Sequence, residues 1–338
     1  SLGIVRANLN IRSGERVMIK MAEFKALTFE ELFQGVKAIQ WEAYVTKEGR
    51  FDVVKASSNK SQLFSTRDIQ SISKKAIVDR LASVYHMERL PETGEQYPVR
   101  VFILKDIVTV YLDTTGDSLH KRGYRLLANA APIRETLAAA LLDISNWRQK
   151  GPLVDPFCGS GTIPIEAAML AKNMAPGLNR KFLSEKWTHV IDRRYWGDAV
   201  DEAMDKIIMN PEVDIQGYDI DESALRIARE NAKRAEVDHL IHFQRRDVAD
   251  LSHSKKYGTI VTNPPYGERL EDQETVMKIY GTFGKSFRQL DDWNLTVITS
   301  SDAFERSFGK KADKNRKIYN GMLKTYIYQY QGKKPVRS

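Results

Sequence analysis

The sequence predicts an α/β protein: a mostly parallel, doubly wound sheet with a terminal antiparallel strand, preceded by a smaller α+β domain. Three observations carry this. Strand-like and helix-like segments alternate from Pro152 to Ser300, the pattern of a parallel sheet wrapped by helices. The turn DPFCGSGT (155–162) joins the first of these strands to its helix through closely spaced glycines, as at a ligand-binding sheet edge. The aromatic finish KIYNGMLKTYIYQYQ reads as an antiparallel pair.

The elements follow in order. FKALTFEELFQGVKAI (24–39) spaces Phe24, Leu27, Leu32, Phe33 and Val36 for one helical face, and RDIQSISKKAIVDRLASVY (67–85) repeats the pattern with Ile69, Ile72, Ile77, Leu81 and Val84. Two strands then flank a Lys105–Asp106 turn. These make residues 1–118 the α+β domain and 119–131 a linker, and the doubly wound domain takes 132–338. Pro132 suits a helical first turn, where its missing N–H costs nothing. Beyond it come strand 152–155, helix 162–172, strand 214–219, helix 223–236, strands 241–247 and 258–263, a helix around 273–290 and strand 295–300. An insertion between Ala171 and Pro211 reads as partly helical, with Trp187 and Trp196 expected in the core.

The chain has 338 residues, 42% of them hydrophobic and 28% charged, with net charge +8. That composition describes well-cored globular domains with a mild bias toward polyanions. The longest apolar run, LAAALL (137–142), is too short for a membrane span. No secretory segment opens the chain; it starts without Met, and a shortened N-terminus is expected. The single cysteine, Cys158, excludes a disulfide framework and a cysteine-based zinc site. A cytoplasmic, metal-free protein is therefore expected.

The chemistry lies at the strand ends. The loop 155–161 has Pro164 where a dinucleotide fingerprint has its third glycine, and it lacks the GK[ST] of a phosphate loop. By itself it is also compatible with a tight strand–helix connection. Asp219 closes the next strand, where a carboxylate can accept from ribose hydroxyls. Asp221 follows as either a second ligand or a helix N-cap. Asp247, after the third strand, can take an adenine amino group or stand as a loop acid. Asn263-Pro264-Pro265-Tyr266 ends the fourth strand.

In that order the set resembles the Rossmann-like class I S-adenosylmethionine-dependent methyltransferases that modify exocyclic amines. The resemblance implies that Asp155, Gly159 and Gly161 contact the methionine end of the cofactor, Asp219 its ribose and Asp247 its adenine. Phe157, Cys158, Ser160, Thr162, Ile220, Asp221, Val248 and Asn263 fall in the same matched stretches. A purine exocyclic amine is a poor nucleophile because its lone pair is delocalised. Asn263 Oδ1 and the Pro264 carbonyl can accept its two N–H groups, while Pro264 and Pro265 stiffen the pair and Tyr266 offers a face to an extruded base. Neither a metal nor a covalent nucleophile is required, and Cys158 sits in the cofactor loop rather than where a 5-methylcytosine enzyme needs its cysteine.

SLHKRGYR (118–125), the APIRETLAAALL helix, DPFCGSGTIPIEAA and NPPYGERL are together similar to the bacterial THUMP-domain RNA methyltransferases that make N2-methylguanosine in 23S ribosomal RNA. Such proteins usually carry some forty more N-terminal residues. The resemblance implies an RNA substrate gripped by a ferredoxin-like THUMP domain, with S-adenosylhomocysteine as co-product. Through Arg125 the chain holds 20 Lys+Arg against 15 Asp+Glu, a net +5. Lys60, Lys74, Lys75, Arg80, Lys121, Arg122 and Arg125 are candidates for RNA contacts, the last two alternatively for an interface. An N6-adenine DNA methyltransferase, a tRNA guanine-N2 enzyme and an idle RNA-binding factor remain the alternatives.

Overall fold

The computed structural model describes residues 1–125, 132–266, 270–320 and 323–333; the expected linker thus lies partly outside the described residues. The chain divides into two compact units, Ser1–Leu119 with Arg180–Asp205, and His120–Asn179 with Lys206–Ser338. Contiguous boundaries at 118 and 132 leave out the excursion 180–205, which folds with the first unit.

The first unit begins with α1 (Leu2–Asn10), β1 (Met18–Lys25) and α2 (Phe29–Lys37), followed by β2 (Val53–Asn59), α3 (Thr66–Tyr85), β3 (Val99–Leu104) and β4 (Ile107–Asp113). Its sheet has the order β1-β4-β3-β2, with β2 and β3 parallel and the other pairs antiparallel. The helix expected from residue 24 starts later. Thr28 and Glu31 form a capping box around the first turn of α2, and Phe24 belongs to β1, opposite Val108. A capping box satisfies two of the orphan N–H groups that open a helix, so it outweighs the apolar spacing running through it. Lys105 and Asp106 both adopt positive φ (51° and 65°) in the tight turn between β3 and β4, as a two-residue hairpin requires.

The second unit follows with α4 (Glu135–Ile144), β5 (Leu153–Asp155) and α5 (Thr162–Ala171). The next helix, α6 (Arg193–Asp205), belongs to the excursion. Then come β6 (Ile215–Asp219), α7 (Glu222–Arg234), β7 (Ile241–Arg245), β8 (Thr259–Thr262), α8 (Leu270–Phe287), β9 (Asn294–Thr299), α9 (Phe304–Phe308), β10 (Lys314–Asn320) and β11 (Leu323–Tyr330). The sheet runs β10-β11-β9-β8-β5-β6-β7; β5 to β9 are parallel, and β11 is antiparallel to β9. Every residue of β5 and β8 is buried, because helices cover both faces and leave no polar side to alternate with. The strand order reverses between β5 and β8, and a doubly wound sheet opens a crevice at such a point, beyond the carboxyl ends of its strands.

In the excursion both tryptophans are core residues, as expected. Trp187 is fully buried, stacks on Tyr97 at 5.0 Å and donates through Nε1 to the Gln96 carbonyl over 2.9 Å. Trp196 stacks on Phe182 at 5.4 Å. Among the described residues no helix is long and apolar enough to cross a membrane.

Candidate active site

Two carboxylates organise the carboxyl edge at the strand reversal. Asp155, the last residue of β5, is only 2% exposed. Its Oδ1 accepts from the Phe157 N–H at 3.1 Å and from the Thr262 hydroxyl at 2.7 Å. Thr262 ends β8, so the second bond ties together the two strands that flank the reversal. Burial, opposed by these bonds and reinforced by Asp219, pushes the Asp155 carboxyl up to about 7. Asp219 ends β6. Its Oδ2 accepts from the Gly159 N–H at 2.9 Å and its Oδ1 from the Asp221 N–H at 3.0 Å.

The loop between β5 and α5 is held from three sides. The Cys158 N–H donates to the Tyr218 carbonyl (2.9 Å), and the Gly161 N–H closes back on the Cys158 carbonyl (2.8 Å). Asn231 of α7 donates through Nδ2 to the Ser160 carbonyl at 3.1 Å. The sequence marks Asn231 only as a polar residue on the buried face of an amphipathic helix. The two glycines meet different needs. At Gly161 (φ +83°) a Cβ would fall 2.9 Å from Ala228 Cβ and 3.1 Å from Phe243 Cζ, so packing demands glycine. At Gly159 (φ +51°) a Cβ would meet nothing within 4 Å. There the backbone faces open space just ahead of the N-terminus of α5, where a ligand can approach. Burial raises the Cys158 thiol well above its ordinary value, so it stays protonated and is no nucleophile.

Around this loop lie the other expected cofactor residues. Ile220, 62% exposed, presents an apolar side chain beside Asp219. Phe157 is half-buried, edge-to-face on Phe283 at 5.4 Å. Asp221 caps α7, accepting from the Ser223 N–H at 2.8 Å; the Ser223 hydroxyl first, and then this N–H, hold its carboxyl below the usual range. Asp247 is exposed and caps the turn after β7 through the Ala249 N–H at 2.8 Å, with Val248 buried behind it. The Thr162 hydroxyl accepts from Arg125 Nη2 at 2.6 Å.

Directly after β8 comes the Asn-Pro-Pro-Tyr turn. The Tyr266 hydroxyl donates to Asn263 Oδ1 at 2.6 Å. The Tyr280 hydroxyl, from α8, donates to the Pro265 carbonyl at 2.7 Å and lies 3.0 Å from Thr299 Oγ1 at the end of β9. Burial pushes the Tyr280 phenol up to about 12, so it is a neutral donor. Neither Tyr280 nor Thr299 carries a sequence signal; both look like ordinary core positions of a helix and a strand. Gly267, Glu268 and Arg269 lie outside the described residues.

Several of the basic residues expected on RNA are engaged elsewhere. Arg122 is 2% exposed, with its Nε 3.4 Å from Glu166 Oε1, which also accepts from the Tyr124 hydroxyl at 3.3 Å. A guanidinium is buried only with a partner, and here the partner is a carboxylate of α5. Arg125 pairs with Glu135 at 3.1 Å and bonds Thr162 and the Ile133 carbonyl, so it braces the start of α5 behind the glycine loop. Lys74 lies between Asp52 and Glu92 (3.3 and 2.7 Å) and over the Phe51 ring. Arg80 pairs with Glu42. Each of the four thus has a carboxylate partner within the fold. Lys60, Lys75 and Lys121 are exposed.

Known proteins share both units. Residues 122–329 match the family described as the RMKL-like methyltransferase domain, and residues 26–113 match the THUMP domain. The chain is 45% identical over 335 residues to YpsC of Bacillus subtilis, named as a candidate RNA methyltransferase, covering 98% of this chain and 86% of that one. It is 34% identical over 337 residues to the ribosomal RNA large subunit methyltransferase K/L of Syntrophotalea carbinolica, covering 94% of this chain. It spans only 46% of the length of that relative. A solved methyltransferase candidate, SMU.472, bound to S-adenosylhomocysteine, superposes with a TM-score of 0.90 at 42% identity, over 98% of this chain and 88% of that one.

Proposed function

The chain belongs to the RMKL-like methyltransferase family and carries a THUMP domain; from that premise we propose that it methylates an exocyclic purine amine of RNA, guanine N2 in 23S ribosomal RNA. S-adenosyl-L-methionine is the cofactor of this methyltransferase domain. The open approach at Gly159, the exposed apolar Ile220 and the carboxylates of Asp155 and Asp219 suit its zwitterionic and nucleoside parts. In this reading Asp155 and the 157–162 loop hold its methionine end, Asp219 the ribose, and Asp247 with Val248 the adenine. Asp221 serves chiefly as the cap of α7.

When bound, the cofactor supplies a sulfonium methyl already activated by its positive charge. What the chain adds is positioning. Asn263 Oδ1 and the Pro264 carbonyl accept the two N–H groups of the target amine and turn its lone pair outward. Tyr280 fixes the next carbonyl, that of Pro265, and so limits how the turn can tilt. Tyr266 offers its ring to the extruded base. The observation that carries the reading is the placement of Asn-Pro-Pro-Tyr at the end of β8, one strand from the glycine loop of β5 and tied to it by the Thr262–Asp155 bond.

The THUMP domain and the names of YpsC and the K/L enzyme favour RNA, and the K/L name favours ribosomal RNA. Methyl transfer from labelled cofactor to unmodified 23S transcript, bulk tRNA and duplex DNA, run side by side, tests the choice. Preferential labelling of the 23S transcript is expected; labelling of DNA alone refutes it.

A further inference from the structure

The β10–β11 hairpin overhangs the edge that carries the catalytic turn. Tyr326 of β11 stands opposite Thr299, the last residue of β9, so Leu323–Thr325 continue past the edge by about 10 Å at ~3.4 Å per residue. β10 accompanies them, with Ile318 opposite Thr325 and Tyr319 opposite Lys324. Thr299 is also the residue that Tyr280 joins to Pro265. The hairpin therefore rises beside the Asn-Pro-Pro-Tyr turn, two to three strands from β8, or roughly 10–14 Å at ~4.8 Å per strand.

Cations and aromatic rings alternate from the level of Thr299 into this projection. Lys317 pairs with Tyr326 and Tyr319 with Lys324, and strand alternation puts all four on one face. Lys317 Nζ lies 5.7 Å from the Tyr319 ring centre, and Lys324 Nζ 5.0 Å from that of Tyr326. Tyr319 is 66% exposed, and both lysines are exposed. Neither strand contains an acidic residue. Among the described residues no ion pair holds Lys314, Arg316, Lys317 or Lys324; the Tyr326 hydroxyl and Asp302 act on Lys324 and raise its pKa. Lysines on an edge strand are a common guard against pairing with a foreign sheet. That guard accounts for the charges, but not for a tyrosine two-thirds exposed between them at the edge where the substrate must lie.

We propose that this lysine–tyrosine face grips single-stranded RNA flanking the target base. Lys317 and Lys324 neutralise phosphates, and Tyr319 stacks on a neighbouring base, as aromatic platforms on basic surfaces do for single strands. The proposal rests on the reading that the substrate is RNA. It gives the catalytic unit an RNA contact of its own.

The test uses the full chain with unmodified 23S transcript, comparing wild type, Lys317→Glu/Lys324→Glu, Tyr319→Ala and Tyr319→Phe. For the double variant the KM for RNA rises at least about tenfold, and the effect falls on KM rather than kcat. Its salt dependence flattens by about 1.4 in log–log slope, ~0.7 for each phosphate no longer neutralised. Cofactor Kd by calorimetry stays at the wild-type value. Tyr319→Ala raises KM several-fold, whereas Tyr319→Phe, which keeps the ring, does not. A KM within twofold of wild type for the double variant, with the wild type methylating RNA, overturns the hairpin's role and leaves the RNA reading standing. A wild type that methylates duplex DNA and no RNA overturns both. If the charge reversal impairs cofactor binding, Lys317→Gln/Lys324→Gln is judged by the same criteria.

Discussion

The Tyr266 hydroxyl donates a 2.6 Å hydrogen bond to Asn263 Oδ1, the atom assigned to accept the target amine. Within the motif, then, one residue occupies the acceptor that another must offer to substrate, and an incoming base exchanges one donor for another rather than meeting a bare oxygen. Asn263→Ala should lower kcat by about a hundredfold or more, the scale of a misplaced reacting group, with the cofactor Kd unchanged by calorimetry. Weakened cofactor binding would remove Asn263 from its assigned role. Tyr266→Phe gives up only the placeholder bond, a net of about 1 kcal/mol, and should change kcat/KM by no more than about fivefold. Tyr266→Ala also removes the stacking face, about 1–3 kcal/mol, and should cost ten- to a hundredfold.

On the proposed function Tyr280 acts as a positioning residue, through the Pro265 carbonyl. Removing its hydroxyl leaves the Pro265 carbonyl without that donor and frees Thr299. Tyr280→Phe should cost about 1–2 kcal/mol in stability and about tenfold in kcat, with KM for RNA and cofactor Kd near wild type. Equal effects on all three would mean that Tyr280 supports the fold alone.

Asp155 gives the site a pH signature. Its folded pKa is raised to about 7, so between the ordinary carboxylate range and pH 7 the folded chain keeps a proton that the unfolded chain has released. Stability from this group is therefore present at low pH and lost as pH rises through that window. Thermal unfolding of wild type and Asp155→Asn between pH 4 and 8 should show the difference in Tm growing in favour of the variant as pH rises. A parallel pair of curves would show that Asp155 is already ionised in the fold.

Asp219 and Asp221 should part company. Asp219→Ala removes the acceptor assigned to the ribose, and the anchor of the Gly159 N–H. The cofactor Kd should rise tenfold or more, for charge-assisted bonds of about 1.5–3 kcal/mol. Asp221→Ala removes the cap of α7, at about 1 kcal/mol of stability, and should shift Kd by less than about threefold. An unchanged Kd for Asp219→Ala would place the ribose contact elsewhere.

The second unit was largely legible because its strands are short apolar runs ended by punctuation: Asp155, Asp219 and Asn263 each close or follow a strand at the expected place. The first unit was less so. β1 carries no clean alternation of buried and exposed residues, and its Phe24 continued the helical spacing of Leu27 and Leu32 into a strand. Residues whose role depends on distant partners stayed invisible. Arg122 reads as a basic surface residue until Glu166, 44 positions away, is folded against it. Tyr280 reads as core until Pro265 and Thr299 converge on its hydroxyl. The excursion 180–205 leaves one unit for the other on the strength of stacked rings, such as Tyr97 on Trp187, which no local pattern announces.

The most direct measurement is to digest the RNA product and identify its methylated nucleoside by mass spectrometry, with Asn263→Ala run in parallel. N2-methylguanosine from 23S transcript, absent with the variant, is the predicted result. N6-methyladenosine, or its deoxy form from DNA, would contradict the assignment of guanine N2.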